Sequence, residues 1–163
     1  MITLKTILVP SDFSECSDAA IRYGLELARR FDAKLHLLHV IQDPATQPWA
    51  AEGLSIPILQ AVDQWQKDAQ QRLAGSVPAA DAGRVTAVAK IATPFQEILG
   101  YADEHAVDLI VMGTHGRSGM SHLLLGSIAE KVVRRAPCPV LTVRHPEREF
   151  VHTEPGAVTA SAV

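Results

Sequence analysis

The chain has 163 residues, 47% of them hydrophobic and 20% charged, with a formal net charge of -3. That length suits one ordinary domain with one sizeable core, and the weakly acidic balance gives no electrostatic reason to expect nucleic acid or an anionic membrane as partner. No apolar run approaches the ~18 residues that would span a bilayer.

The opening MITLKTILVPSDF meets Pro10 and Asp12 too early for a signal peptide and reads instead as a strand. Cys16 and Cys138, the two cysteines, make neither a disulfide framework nor a zinc site, so a reduced, cytoplasmic setting is expected. Thr6 to Pro10 is the first buried strand, closed by a proline that cannot continue a ladder. Ser11, Asp12 and Ser14 then offer caps for a helix running to about Phe31. Its apolar stripe is Ala20, Tyr23, Gly24, Leu27 and Phe31, with Arg29 and Arg30 suited to its C-terminal end.

Lys34 to Ile41 is the second strand. His36 and His39 are three apart on it and face opposite sides of a sheet, which argues against a metal pair. Residues 42 to 56 hold Pro44, Pro48 and Gly53 and read as a mobile loop. Pro57 then opens a second helix with the stripe Ile58, Val62, Trp65, Ala69 and Leu73, ending at Gly75. Trp65 could stack on a base, but its register with the stripe favours a core position.

Arg84 to Ile91 is the third strand, and Thr93-Pro-Phe-Gln96 starts a third helix with cap, first-turn proline and capping box together. Val107 to Met112 is the fourth strand. Glycines 113, 116, 119 and 126 follow it, interspersed with Ser118, Ser121 and Ser127. A helix begins after Gly126, where Ser127 and Glu130 have capping-box spacing. A strand, a glycine-rich loop and a helix N-terminus in succession make a place for a phosphate, although a long turn with glycines for geometry alone has the same appearance. Cys138 to Arg144 is the fifth strand, and residues 146–163 form a tail too poor in apolar bulk to order itself.

Strands alternating with helices imply a parallel α/β sheet covered on both faces, in one domain over residues 1–145. Such sheets bind ligands beyond the carboxyl ends of the strands, where the winding reverses. If the strand order is 3-2-1-4-5, the reversal lies between strands one and four. Asp12 and the glycine loop would then face each other across one crevice. Asp12 would sit where ribose hydroxyls could be bonded, or would serve as a helix cap only.

Three phosphate or nucleophile signatures are absent. There is no GxxxxGK[ST], no glycine in the first strand-to-helix turn VPSDFSE, and no GxSxG, because Gly116-Arg-Ser-Gly119 has the wrong spacing. What is present, Gly113-x-x-Gly116 and, nine residues later, Gly126-Ser127, resembles the ATP-binding signature of the universal stress protein family. The resemblance extends through ILVPSDFS, LHLLHV, DLIVMGTHGRSG and APCPVLTVR, and covers roughly residues 3 to 144.

The resemblance implies a Rossmann-like fold of the adenine nucleotide alpha hydrolase type, and membership of the subgroup that keeps the full glycine spacing and binds ATP. By position, Gly113, Gly116, Gly126 and Ser127 would wrap the phosphates, with the Ile128 N–H also available. Asp12 would hold the ribose beside Pro10 and Ser11, Val40 would meet the adenine through its backbone, and Met112 would lie near the base. His115 and Arg117 could approach the phosphates or remain exposed loop residues.

Mg²⁺ could arrive with the nucleotide, held by phosphates and water. The family also implies a homodimer paired along strand 138–144, which would otherwise be an uncovered sheet edge. The expectation is a nucleotide-dependent regulatory protein acting through an unknown protein partner, with at most slow hydrolysis or autophosphorylation at Ser118 or Ser121. The alternatives are an ATP-using pyrophosphatase or nucleotidyl transferase of the same fold and a nucleotide-free interaction module.

Overall fold

The computed structural model describes residues 1–46, 56–114, 125–144 and 146. Five parallel strands form one sheet: β1 (Thr6–Pro10), β2 (Lys34–Gln42), β3 (Val85–Ala92), β4 (Leu109–Gly113) and β5 (Val140–Val143). Their order is β3-β2-β1-β4-β5, the order on which the expected crevice depended, so the winding reverses between β1 and β4. Four helices connect them: α1 (Glu15–Phe31), α2 (Ile56–Gly75), α3 (Pro94–Glu104) and α4 (Ser127–Arg135). The register sets Pro10 beside Leu38 and Gly113 beside Val143, which brings the carboxyl ends of four strands to one rim.

Adjacent residues of each strand serve opposite faces of the sheet. Ile7, Val9, Leu35, Leu37 and Val111 pack with Ala20, Tyr23 and Ala28 of α1 and Leu73 of α2. Leu8, Leu38, Ile110 and Met112 pack with Ile98 and Tyr101 of α3 and Ala129 and Val132 of α4. This period of two, buried on both sides, is why the strands read as continuous apolar runs. The helix stripes do the same at a longer period: Ala20, Tyr23 and Gly24 are buried, while Leu27 and Phe31 are partly so. Gly24 admits α1 closely onto the sheet, since a Cβ there would come within 2.6 Å of a Val9 methyl.

The histidines separate across the sheet as their spacing requires. The His36 ring packs on Tyr101 of α3, and the His39 ring lies 4.4 Å from that of Phe13, on the α1 side.

Trp65 departs from expectation. Its side chain is 47% exposed, whereas Ala69 and Leu73 are buried. The buried arc of α2 takes in Gln66 rather than Trp65, because α2 lies along the outer edge of β3. There the Gln66 side-chain amide donates to the Ala89 carbonyl at 2.7 Å. The Gln70 amide donates to the Ala87 carbonyl and accepts from the Ala89 N–H at 2.8 Å. Polar groups of an edge strand need partners, and here two glutamines supply them.

Two caps also differ. Ser127 is the first helical residue of α4, whose N-cap is Gly126, and Thr93 is the N-cap of α3 without a side-chain bond. Each Ser/Thr-x-x-Glu/Gln spacing is present without the reciprocal bonds of a capping box.

Candidate functional site

A cavity of about 520 Å³ opens at the rim where β1 and β4 part. One wall is the β1–α1 turn, Pro10, Ser11 and Asp12. A second is the end of β2 from Leu38 to Gln42, a third is Met112, Gly113 and Thr114, and the last is Gly126 to Ala129 at the start of α4. The volume falls in the range of ~300–1,000 Å³ typical of small-molecule sites.

The first wall has no glycine yet turns sharply. Ser11 still donates its N–H to the Leu38 carbonyl at 2.9 Å, extending the ladder one residue past β1. Phe13 then takes a φ of 62°, in the left-handed region, and its N–H donates to the Ser11 Oγ at 3.2 Å. Ser14 is the N-cap of α1 and accepts from the Ser17 N–H. Asp12 is not the cap: its Oδ1 accepts from the Ser14 N–H at 3.1 Å and from the Ser14 hydroxyl at 2.5 Å. The carboxylate thus braces the capping residue from the cavity wall, and a carboxylate has about four lone-pair positions with which to do more than that.

The opposite wall is built by backbone. Thr114 donates its N–H to the Val143 carbonyl at 2.9 Å, and its own carbonyl accepts from the Gly126 N–H at 2.7 Å. The two ends of the glycine-rich segment are therefore tied together directly above β4. No side chain among the described residues caps α4. Ser127, Ile128 and Ala129, whose N–H groups open that helix, line the cavity. Amides at a helix start, reinforced by the positive end of its dipole, are suited to an anion.

Of the residues singled out from sequence, Pro10, Ser11, Asp12, Val40, Met112, Gly113, Gly126, Ser127 and Ile128 all line this cavity. His115, Gly116, Arg117, Ser118 and Ser121 lie outside the described residues, as does the tail from 147 onward. Gly113 has a further constraint. A Cβ on it would meet the Cys16 Cβ at 2.9 Å and the Cys16 carbonyl carbon at 3.0 Å, so glycine there lets α1 pack against β4.

Sequence reasoning missed Ser17, Leu38, His39, Ile41, Gln42, Pro94, Ile98, Thr114 and Ala129. Thr114 directly follows β4 and Pro94 opens the helix after β3, so their place at the rim follows from topology alone. Spacing marks His39 only as half of a metal pair. Among the described residues no group of three or more His, Cys, Asp or Glu could hold a metal ion, and no helix is long and apolar enough to cross a membrane.

A model of the universal stress protein family matches residues 3–144. Universal stress protein MJ0531 of Methanocaldococcus jannaschii is 32% identical over 145 residues, spanning 89% of this chain and 85% of that relative. The solved structure of the universal stress protein UspA from Lactobacillus plantarum superposes with a TM-score of 0.71 at 32% identity, over 88% of this chain and all of that one. A universal stress protein solved in complex with cAMP shares the fold, with a TM-score of 0.59 at 23% identity over 88% of this chain and 98% of that one. Sheet order, sequence and overall shape agree: the chain belongs to the universal stress protein family.

Proposed function

We propose that the chain binds ATP, or another adenine nucleotide, in the cavity between β1 and β4, and that it acts as a nucleotide-dependent stress-response protein rather than as an enzyme. The juxtaposition of the Asp12 turn with the Gly126–Ile128 helix start across one cavity supports this most directly. Phosphates would lie against the opening amides of α4 and the glycine-rich segment from 113 to 127. The Asp12 carboxylate, beside Pro10 and Ser11, would accept from ribose hydroxyls. Val40 would meet the base through its backbone, and Met112 would lie near it. Mg²⁺ would come with the nucleotide and be held by its phosphates and water.

Output would pass through a protein partner, with bound nucleotide changing the surface offered to it. Two copies would pair along β5, whose outer edge is the end of the sheet opposite β3. A cytoplasmic setting goes with this role. Mass spectrometry of small molecules released from freshly purified protein tests the ligand, with an adenine nucleotide as the expected release. ATP turnover at about 1 s⁻¹ or faster would make the chain an enzyme instead. Protein that carries no nucleotide and is not stabilised by added ATP would be an interaction module.

A further inference from the structure

We propose that His39 is the positioning residue of the cavity, clamping the β1–α1 turn in the shape that presents Asp12. This rests on the cavity being a nucleotide site. The His39 Nδ1 lies 2.7 Å from the Ser11 carbonyl oxygen. A carbonyl carries no proton, so Nδ1 must be the donor, which sets the tautomer. Ser11 is thereby held to β2 twice, by its N–H on the Leu38 carbonyl and by its carbonyl on His39.

The far side of the turn is held as well. Phe13 stands at a φ of 62°, a conformation that an aromatic residue keeps only when its surroundings impose it. Two contacts on its ring come from other elements. The His39 ring is 4.4 Å away, centroid to centroid, and the Arg72 guanidinium of α2 is 4.2 Å from the ring centroid. Asp12 lies between Ser11 and Phe13, and His39 grips both. In a turn with no glycine, a residue of the neighbouring strand does the work of glycine by making the strained conformation the favourable one. His39 itself lines the cavity beside Val40, so the clamp adjoins the place assigned to the base.

Two substitutions separate a clamp from simple packing. His39→Asn would place a side-chain N–H₂ where Nδ1 stands but removes the ring, whereas His39→Leu keeps apolar bulk and removes the donor. ATP affinity measured by calorimetry should fall about tenfold in His39→Leu, which loses the bond to Ser11 as well as the ring, and only about threefold in His39→Asn, which loses the ring alone. Equal losses in both, or wild-type affinity in His39→Leu, would overturn the proposal. Should His39→Leu not fold, the ring nitrogens of His39 in the wild-type chain decide by NMR. A proton on Nδ1 bonded to a carbonyl is expected, and one on Nε2 alone contradicts the clamp. Wild-type protein that binds no ATP would overturn the nucleotide reading, while the tautomer measurement would still judge the clamp.

Discussion

Gly113 lies so close to Cys16 that a single added carbon would fall 2.9 Å from the Cys16 Cβ and 3.1 Å from its carbonyl oxygen. The neighbours are a helix backbone and the first carbon of a side chain, neither of which can swing aside. Gly113→Ala should therefore destabilise the fold by about 1–3 kcal/mol through overpacking. Gly100 is the internal control. It lies within α3 with nothing within 4 Å of its Cβ position, so Gly100→Ala should stabilise by about 0.5–1 kcal/mol. Urea denaturation of the two variants should move in opposite directions from the wild type.

Acid should weaken the fold earlier than its carboxylates alone would. His36 is half-buried, its Nδ1 lies 2.9 Å from the Tyr101 hydroxyl, and its ring lies 5.4 Å from that of His105. Burial, then the neighbouring charges of His105 and Lys34, hold it below its ordinary 6.5. The unfolded chain thus takes up this proton more readily than the folded one. The contribution of neutral His36 is complete above about pH 6.5 and declines as pH falls below it. Denaturation midpoints followed downward from neutral pH should drop less steeply in His36→Phe. Parallel slopes would assign the early acid sensitivity to another group.

Asp81 is 4% exposed and accepts from the Nε–H and one Nη–H along one edge of the Arg29 guanidinium, with Arg84 at 3.7 Å. The Arg29 bond holds its carboxyl below the usual range. Arg29 itself is 43% exposed, so water softens the pair. Asp81→Asn should cost about 1–2 kcal/mol at neutral pH, less than a fully buried pair would. The difference from wild type should shrink as pH falls below about 3.8 and the native carboxylate takes its proton.

Gln70 acts as a short length of strand along β3. Its Oε1 accepts from the Ala89 N–H, so Gln70→Ala should speed hydrogen exchange at Ala89 by about tenfold. Amides of β1 in the middle of the sheet should be unaffected. Unchanged exchange at Ala89 would show that the glutamine is not what shields it.

Much of the architecture was legible because a parallel sheet buried on both faces leaves apolar runs at regular spacing. β1 starts and ends where the run TILVP does, and α1 ends at Phe31 as its stripe implied. The crevice followed from strand order, since Asp12 and Gly126 could only meet at the point of reversal. What escaped was set by contacts between elements distant in sequence. Trp65 fits an α-helical stripe on paper, but α2 turns its glutamines to the edge of β3 and leaves the indole half exposed. Ser127 and Glu130 have the spacing of a box, yet the N-cap is Gly126, one residue too early for it. No local signal marks Phe13 for a left-handed conformation, because His39 and Arg72, which hold its ring, lie on β2 and α2. Gly113 read as a loop glycine, and its closeness to Cys16 depends on where α1 lies over β4.

The proposed site has the opening amides of α4 and the Asp12 turn hold one adenine nucleotide between them. Titration calorimetry of ATP into the wild-type chain and into Gly126→Val tests it most directly. The variant puts a branched side chain at the N-cap beside the cavity, at a cost to stability of about 1 kcal/mol that leaves the fold standing. Saturable binding of one ATP per chain by the wild type and none by a folded Gly126→Val is the predicted result. Equal binding by both, or no binding by the wild type, would contradict it.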